Sequence, residues 1–252
     1  VAGETGIEIS KLAVDLKTSK VTDVVIALTS NDAITVTGDA KLADLTVTSG
    51  SAANDSFSAV FVNNDADLSY TGAGGAADTL SVTAGGNLDL SATTVEVLNI
   101  TGASEALTVD ITGTSGMSFS VAGDQNVTIE ALGDVFNEST LTDTSTAGTT
   151  SITIESNGAD LTGFGALSGG ITIADANADA LTLQSGNTVT YKMTTPSSTL
   201  TANDAATVTN STVDIVLDGP TGGTITESGF ETIGITTNDS SDAHVLGLVM
   251  SN

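Results

Sequence analysis

The chain contains no cysteine and no tryptophan, and only 2 prolines, 1 histidine and 5 basic residues, all lysine, in 252 positions. Without cysteine there are no disulfides and no thiolate chemistry. That fits an extracytoplasmic bacterial protein that needs no oxidation step. Four of the lysines, Lys11, Lys17, Lys20 and Lys41, precede Leu42. No basic stripe is left to displace counterions from phosphates, which argues against nucleic acid. Nor is there a polybasic segment to hold an anionic bilayer. No apolar run approaches the roughly 18 residues of a membrane-spanning helix, so membrane insertion is not expected. Catalytic vocabulary is missing too: there is no G-x-S-x-G, H-E-x-x-H or P-loop. The lone His244, after Asp242 and Ala243, reads as a turn or strand-edge histidine. A carbohydrate-active β-helix enzyme is the fairest enzymatic alternative. It would want aromatic platforms for sugars and Arg or Lys for a uronate, and both are nearly absent. We therefore expect no enzyme.

What is present is acid and small β-formers. Asp and Glu number 31, for a net charge of −26. Positive partners are favoured: divalent cations or a basic surface. Apolar positions are mostly Leu, Val, Ile and Ala among many Thr and Ser, and branching at Cβ suits a pleated surface. The stretch from Thr71 to Thr112 sets the pattern. Apolar and polar residues alternate at Leu80/Val82, Leu88/Leu90, Val95/Val97 and Leu107/Val109/Ile111, with small-residue breaks between. Period two is the signature of a half-buried strand. Similar units follow along the chain, from Ala33-Ile34-Thr35-Val36-Thr37 to Ile233-Gly234-Ile235, and neighbours begin roughly 8–12 residues apart. Each unit is too short to bury a core alone and gains one by stacking on copies of itself. With only 6 Phe and 2 Tyr, a sandwich core would be thin. The expected fold is all-β, a right-handed parallel β-helix or β-solenoid of short rungs, with tandem β-sandwich domains as the alternative.

Residues 1–42 read as an entry or cap segment, which repeat arrays usually need. Within it, Ile9 to Lys20 fits a short helix or a strand, and Asp23 to Leu28 reads as a buried strand. Residues 43–252 read as the repeat region, with an inserted loop at 135–149, where apolar pairs thin out. Val1 is not a natural start, so the sequence reads as a processed or excised piece of a longer protein.

The acidic corners are the candidate chemistry. Ser51-Ala52-Ala53-Asn54-Asp55-Ser56-Phe57 and Gly74-Gly75-Ala76-Ala77-Asp78-Thr79-Leu80 share small residues, then Asp, then a hydroxyl, then a large apolar residue. This shape resembles the RTX nonapeptide, whose glycine-rich turns bind calcium through carbonyls and carboxylates of successive rungs. Some glycines here are alanines, and the units do not run in tandem, so the resemblance implies isolated sites rather than a full calcium roll. Calcium needs about six to eight oxygens. Other oxygen-rich positions are Asp65 and Asp67, Asp89, the alternation Asp175-Ala176-Asn177-Ala178-Asp179, which looks like half an EF-hand loop, and Asp239 with Asp242. The competing reading is that Asp and Asn sit at turns because they bond nearby backbone. The expected metal ligands are thus Asn54, Asp55, Asp65, Asp67, Asp78, Asp89, Asp175, Asn177, Asp179, Asp239 and Asp242, and the expected cofactor is Ca2+.

Two further units, Val95-Glu96-Val97-Leu98-Asn99-Ile100 and Phe230-Glu231-Thr232-Ile233-Gly234-Ile235, share an apolar-Glu-x-apolar-x-Ile core. They resemble repeats of RTX-related bacterial surface-layer proteins exported by type I secretion. The resemblance implies a secreted protein at the bacterial cell surface, self-assembling into a calcium-dependent S-layer lattice. It leaves room for attachment to a cell-surface polysaccharide through another region. An RTX-type adhesin or binding module is the alternative function.

Overall fold

The computed structural model describes residues 12–15, 23–28, 33–37, 44–49, 54, 56–61, 65–72, 77–93, 95–155, 158–174, 180–192, 199–204, 211–218, 223–237 and 246–251. The chain is a parallel β-solenoid, built almost wholly of strands. Each rung carries one strand on each of two walls, and every pairing among the described strands is parallel and links a rung to its neighbour. The first wall holds Leu12–Asp15, Ala33–Thr37, Ser56–Val60, the first limbs of Thr79–Thr93 and Val97–Gly113, Ser118–Gly123 and Thr140–Asp143. The second wall begins with Asp23–Leu28, Asp44–Ser49, Ala66–Thr71 and the second limbs of the two long strands. It continues through Val127–Ala131, Thr150–Ile154, Gly170–Ile173, Asn187–Lys192, Thr212–Asp218 and Thr232–Thr237. Above Thr140–Asp143 the first wall becomes irregular, and Leu141 donates to the Gly163 carbonyl at 3.1 Å. It then resumes as Ala159–Asp160, Ala180–Leu183, Thr199–Asp204, Gly223–Ser228 and Leu246–Ser251.

The interior follows from the alternation. On the second wall one inward ladder runs Ala66, Leu88, Val109, Ile129, Ile152, Ile171, Val189, Ile215 and Ile235, one residue per rung. All but Ile235 are buried. The first wall answers with Phe57, Leu80, Leu98 and Phe119, all buried and in register. Both sets belong to one continuous core. Stacking like on like lets small aliphatic side chains fill the space between walls, with few aromatics needed. Those present cluster: the Phe119, Phe136 and Phe164 rings lie 5.8–6.2 Å apart.

Three expectations can be set beside these strands. The strands described within residues 1–42 join the same two columns as the rest by backbone register. Leu12–Asp15 also settles the helix-or-strand ambiguity between Ile9 and Lys20 as a strand. The stretch 135–149 is part of the stack. Val135 and Phe136 are buried at the end of the one-turn helix Gly133–Phe136, and Thr140–Asp143 pairs with Ser118–Gly123. Its apolar signal is weak because only Leu141 of that strand packs against the core. The Val95/Val97 alternation has the opposite phase. Val97 is only half-buried, and Leu98 and Ile100 point inward, because Thr79 pairs with Val97 and Leu80 with Leu98. A one-residue slip exchanges the faces, and V-E-V-L-N-I offers apolar residues in both phases. Among the described residues no helix is long and apolar enough to cross a membrane.

Corners are closed by side chains reaching across rungs. Asn126 Oδ1 accepts from the Thr149 N–H at 3.0 Å, Asn137 Oδ1 from Asp160 at 2.8 Å and Ser139 Oγ from Met117 at 3.0 Å. Buried Asn187 accepts from the Leu167 N–H at 3.0 Å and donates to the Gln184 carbonyl at 3.0 Å. The turns leave backbone groups that the sheet ladder does not pair, and these side chains satisfy them. At some corners neighbouring rungs approach so closely that only glycine fits. Gly123 has φ of +107°, and a Cβ there would lie 2.3 Å from the Gly102 carbonyl oxygen.

Candidate functional site

Register, rather than local sequence, builds a concentrated acidic feature among the described residues. On the outer face of the second wall, Asp67 pairs with Asp89, Asp89 with Asp110, and Asp110 with Glu130. By backbone register Asp44 and Asp23 extend the same line downward. Asp67, Asp89, Asp110 and Glu130 each occupy the polar position of an apolar-acid-apolar triplet, whose neighbours, such as Leu88 and Leu90, are locked in the core. The carboxylates are therefore held one per rung, at the interstrand distance of about 4.8 Å. Asp65 sits beside the line and its Oδ1 accepts from the Asn87 N–H at 3.1 Å. Above Glu130 the line changes to Thr153, Thr172 and Thr190.

The ladder floors two shallow grooves. One, of about 360 Å³, is lined by Asp65, Asp67, Asn87, Asp89, Thr108, Asp110 and Glu130 among others. Its neighbour, of about 400 Å³, adds Ser69, Ser91, Thr112 and Glu155. The carboxylates strain against one another. Partial burial, then the charges of Asp67 and Asp110, raise the Asp89 carboxyl above its ordinary range, with a hydrogen bond to Asp67 and the Asp65 charge adding to this. Glu155 is raised likewise by partial burial and by Asp110 and Glu130. Asp143, on the first wall, goes the other way. Partial burial raises it, but the Ser145 N–H at 2.9 Å and the neighbouring Ser145 and Thr150 hydroxyls outweigh that and hold it below the ordinary range.

Of the residues expected to bind metal, the fold brings Asp65, Asp67 and Asp89 together. Asn54 and Asp78 lie at the opposite corner of their rungs. Asn54 is exposed and its Oδ1 accepts from the Ala77 N–H at 3.1 Å. Asp78 is fully buried. Asp55, Asp175, Asn177, Asp179, Asp239 and Asp242 lie outside the described residues. Asp110, Glu130 and Glu155 were missed by corner-based reasoning, because they stand in or just after strands. The signal that finds Asp110 and Glu130 is the apolar-acid-apolar triplet recurring along the chain: Ala66-Asp67-Leu68, Leu88-Asp89-Leu90, Val109-Asp110-Ile111, Ile129-Glu130-Ala131; Glu155, followed by Ser156, does not carry it. Among the described residues no three carboxylate or histidine side chains converge closely enough to enclose a metal ion.

The apolar-Glu-x-apolar-x-Ile units have a structural role. Glu96 Oε2 accepts from the Asp78 N–H at 2.7 Å, one rung below, and Glu231 Oε2 accepts from both the N–H and the hydroxyl of Ser211 at 2.7 Å. In each case the preceding apolar residue, Val95 or Phe230, is buried in the corner. The motif is thus a latch between rungs. Glu96→Ala is expected to leave the Asp78 N–H without its acceptor at a cost of about 1–3 kcal/mol. Thermal unfolding should show that loss, with Glu96→Gln recovering most of it. Equal loss in both variants would show that the acceptor oxygen is not what matters.

No family model matches the chain, and no curated protein or solved structure gives a significant match to it.

Proposed function

We propose that this chain is a structural, self-assembling protein of a bacterial surface coat, in which calcium bridges acidic ladders of neighbouring molecules. The observation that carries this reading is the row Asp67, Asp89, Asp110 and Glu130, held one carboxylate per rung by backbone register. Two ladders facing each other bring oxygens from both molecules to one ion. With water, that reaches the roughly six to eight oxygens calcium prefers. An ion so placed belongs to the contact between molecules, where a row of carboxylates spaced one per rung can meet a second row. Charge supplies the need: two chains at −26 each repel on approach, and salt screens only beyond about 8 Å at physiological ionic strength. The surface-layer resemblance of the Glu-containing units points the same way, although those units serve here as corner latches. A parallel stack of rungs suits a building element.

Light scattering of the purified chain should rise on adding millimolar calcium and fall again with chelator. Magnesium, which keeps its waters and demands a tighter octahedron, should be much less effective. Scattering indifferent to calcium would overturn the bridging reading.

A further inference from the structure

The first wall differs from the second in one respect that composition does not foretell. In the strands from Ser56 to Thr144 its outward positions are Ser56, Ser58 and Val60, then Thr79, Ser81 and Thr83, then Val97, Asn99 and Thr101. Ser118, Ser120 and Ala122 follow, and then Thr140, Thr142 and Thr144. Not one of these positions is charged, in a chain with 31 acidic residues. The resumed part of the wall continues so. Thr182, Asn203, Ser228 and Ser251 form one outward register line and Ala180, Thr201, Thr226 and Val249 another, with Asp160 as the lone acid. Besides Asp160, this wall carries Asp15, on an outward line by backbone register, and the exposed Asp143; most other carboxylates among the described residues lie at the corners and on the second wall.

We propose that two copies of this chain pack first wall against first wall, leaving the acidic ladders facing outward. The occupant follows from charge. A second copy approaching the ladder wall meets its like-charged row, whereas the first wall is the broad sheet face whose few acids, Asp15, Asp143 and Asp160 among them, form no row. The surface is also prepared for desolvation. Its polar groups begin to satisfy one another along the wall, as where the Asn99 amide donates to Ser81 Oγ at 3.1 Å, so burying them leaves fewer bonds to replace. Sheet faces of this kind pack about 10 Å apart. The area suffices: twelve strands at about 4.8 Å spacing, averaging about 16 Å in length, give a footprint of about 900 Å². A partner contributes about 800 Å² to an interface of standard size. The pairing deepens the self-assembly reading above but needs no metal. The dimer is the unit that calcium then joins through its two outer walls.

Sedimentation velocity of the full chain in chelator is expected to show a dimer at micromolar concentration. Ser81→Asp with Ser120→Asp, placing charges at the wall's centre, should give a monomer with an unchanged circular dichroism spectrum and unfolding temperature. Mixing that variant with Ser81→Lys/Ser120→Lys should restore the dimer, a readout that misfolding cannot mimic. Asp89→Asn on the second wall should leave the dimer intact. A wild-type monomer in chelator at 100 micromolar (about a hundredfold above the expected range), or a dimer indifferent to both charge placements, would overturn the proposal. Calcium-induced scattering from such a monomer would still support bridging, so the two ideas fail separately.

Discussion

Replacing Asp67, Asp89 and Asp110 by Asn and Glu130 by Gln is expected to abolish calcium-driven assembly and to raise the unfolding temperature at neutral pH. Both effects have one source. The backbone register forces these carboxylates into line, and like charges directly opposite on neighbouring strands destabilise a sheet. The direction of the pKa shifts fixes the pH dependence. Asp89 and Glu155 titrate above their ordinary range in the fold. The native state therefore binds more protons than the unfolded chain between the ordinary and the raised values, and stability falls as pH rises through that window. Below about pH 4 both states are protonated and that penalty is gone. Asp143 has the opposite sign. Its contribution is present above the ordinary carboxylate value and is lost as pH falls through its lowered one. The wild-type chain should thus become more heat-stable as pH falls from 7 toward 4, then lose part of that gain in stronger acid. Differential scanning calorimetry across this range checks the sign. In the neutralised variant the rise should flatten, and added salt should stabilise it less than it does the wild type. A wild-type unfolding temperature that drops steadily from pH 7 downward would show that the ladder's repulsion does not govern stability.

Gly123→Ala is expected to cost about 3 kcal/mol or more, and to lower the unfolding temperature by about 10 °C in a chain of this length. Two penalties coincide at this corner. The φ of +107° is one that side chains rarely adopt, and the new Cβ would sit 2.3 Å from the Gly102 carbonyl oxygen. That oxygen belongs to the neighbouring rung's backbone and cannot swing aside as a flexible side chain would. Gly116 provides the control. Its φ is +80°, but a Cβ there meets nothing within 4 Å. Gly116→Ala should therefore pay only the conformational part, about 1 kcal/mol. Thermal melts of the two variants separate strain from collision, and equal losses would show that close rung approach contributes nothing.

The strands were legible in the sequence because each holds its own period. Leu107, Val109 and Ile111 can only face one way. What was not legible is how rungs align. Register offsets between neighbouring strands range from 18 residues, between Thr79 and Val97, to 26, between Asn187 and Val213. No fixed repeat length therefore lets Asp67, Asp89 and Asp110 be placed above one another beforehand. Corner acids such as Asp65 looked like ligands because turns concentrate oxygen, yet the same oxygens serve the backbone of the next rung, as Asp65 does for Asn87. Glu96 carried the most recognisable motif of the chain, and its carboxylate closes a corner. The neutral wall left no local trace. Ser, Thr and Asn are common throughout, and only the pairing shows that one face has few acids among them.

The two long strands, Thr79–Thr93 and Val97–Gly113, each turn a corner without breaking and pair with one another along both walls. Elsewhere adjacent rungs meet through separate, shorter segments. In a stack where layers touch only those above and below, folding can start at any point and spread outward. The doubled rung is the natural seed, because one chain reversal there zips two faces at once. Growth then proceeds toward both tips, and the tips are where melting begins.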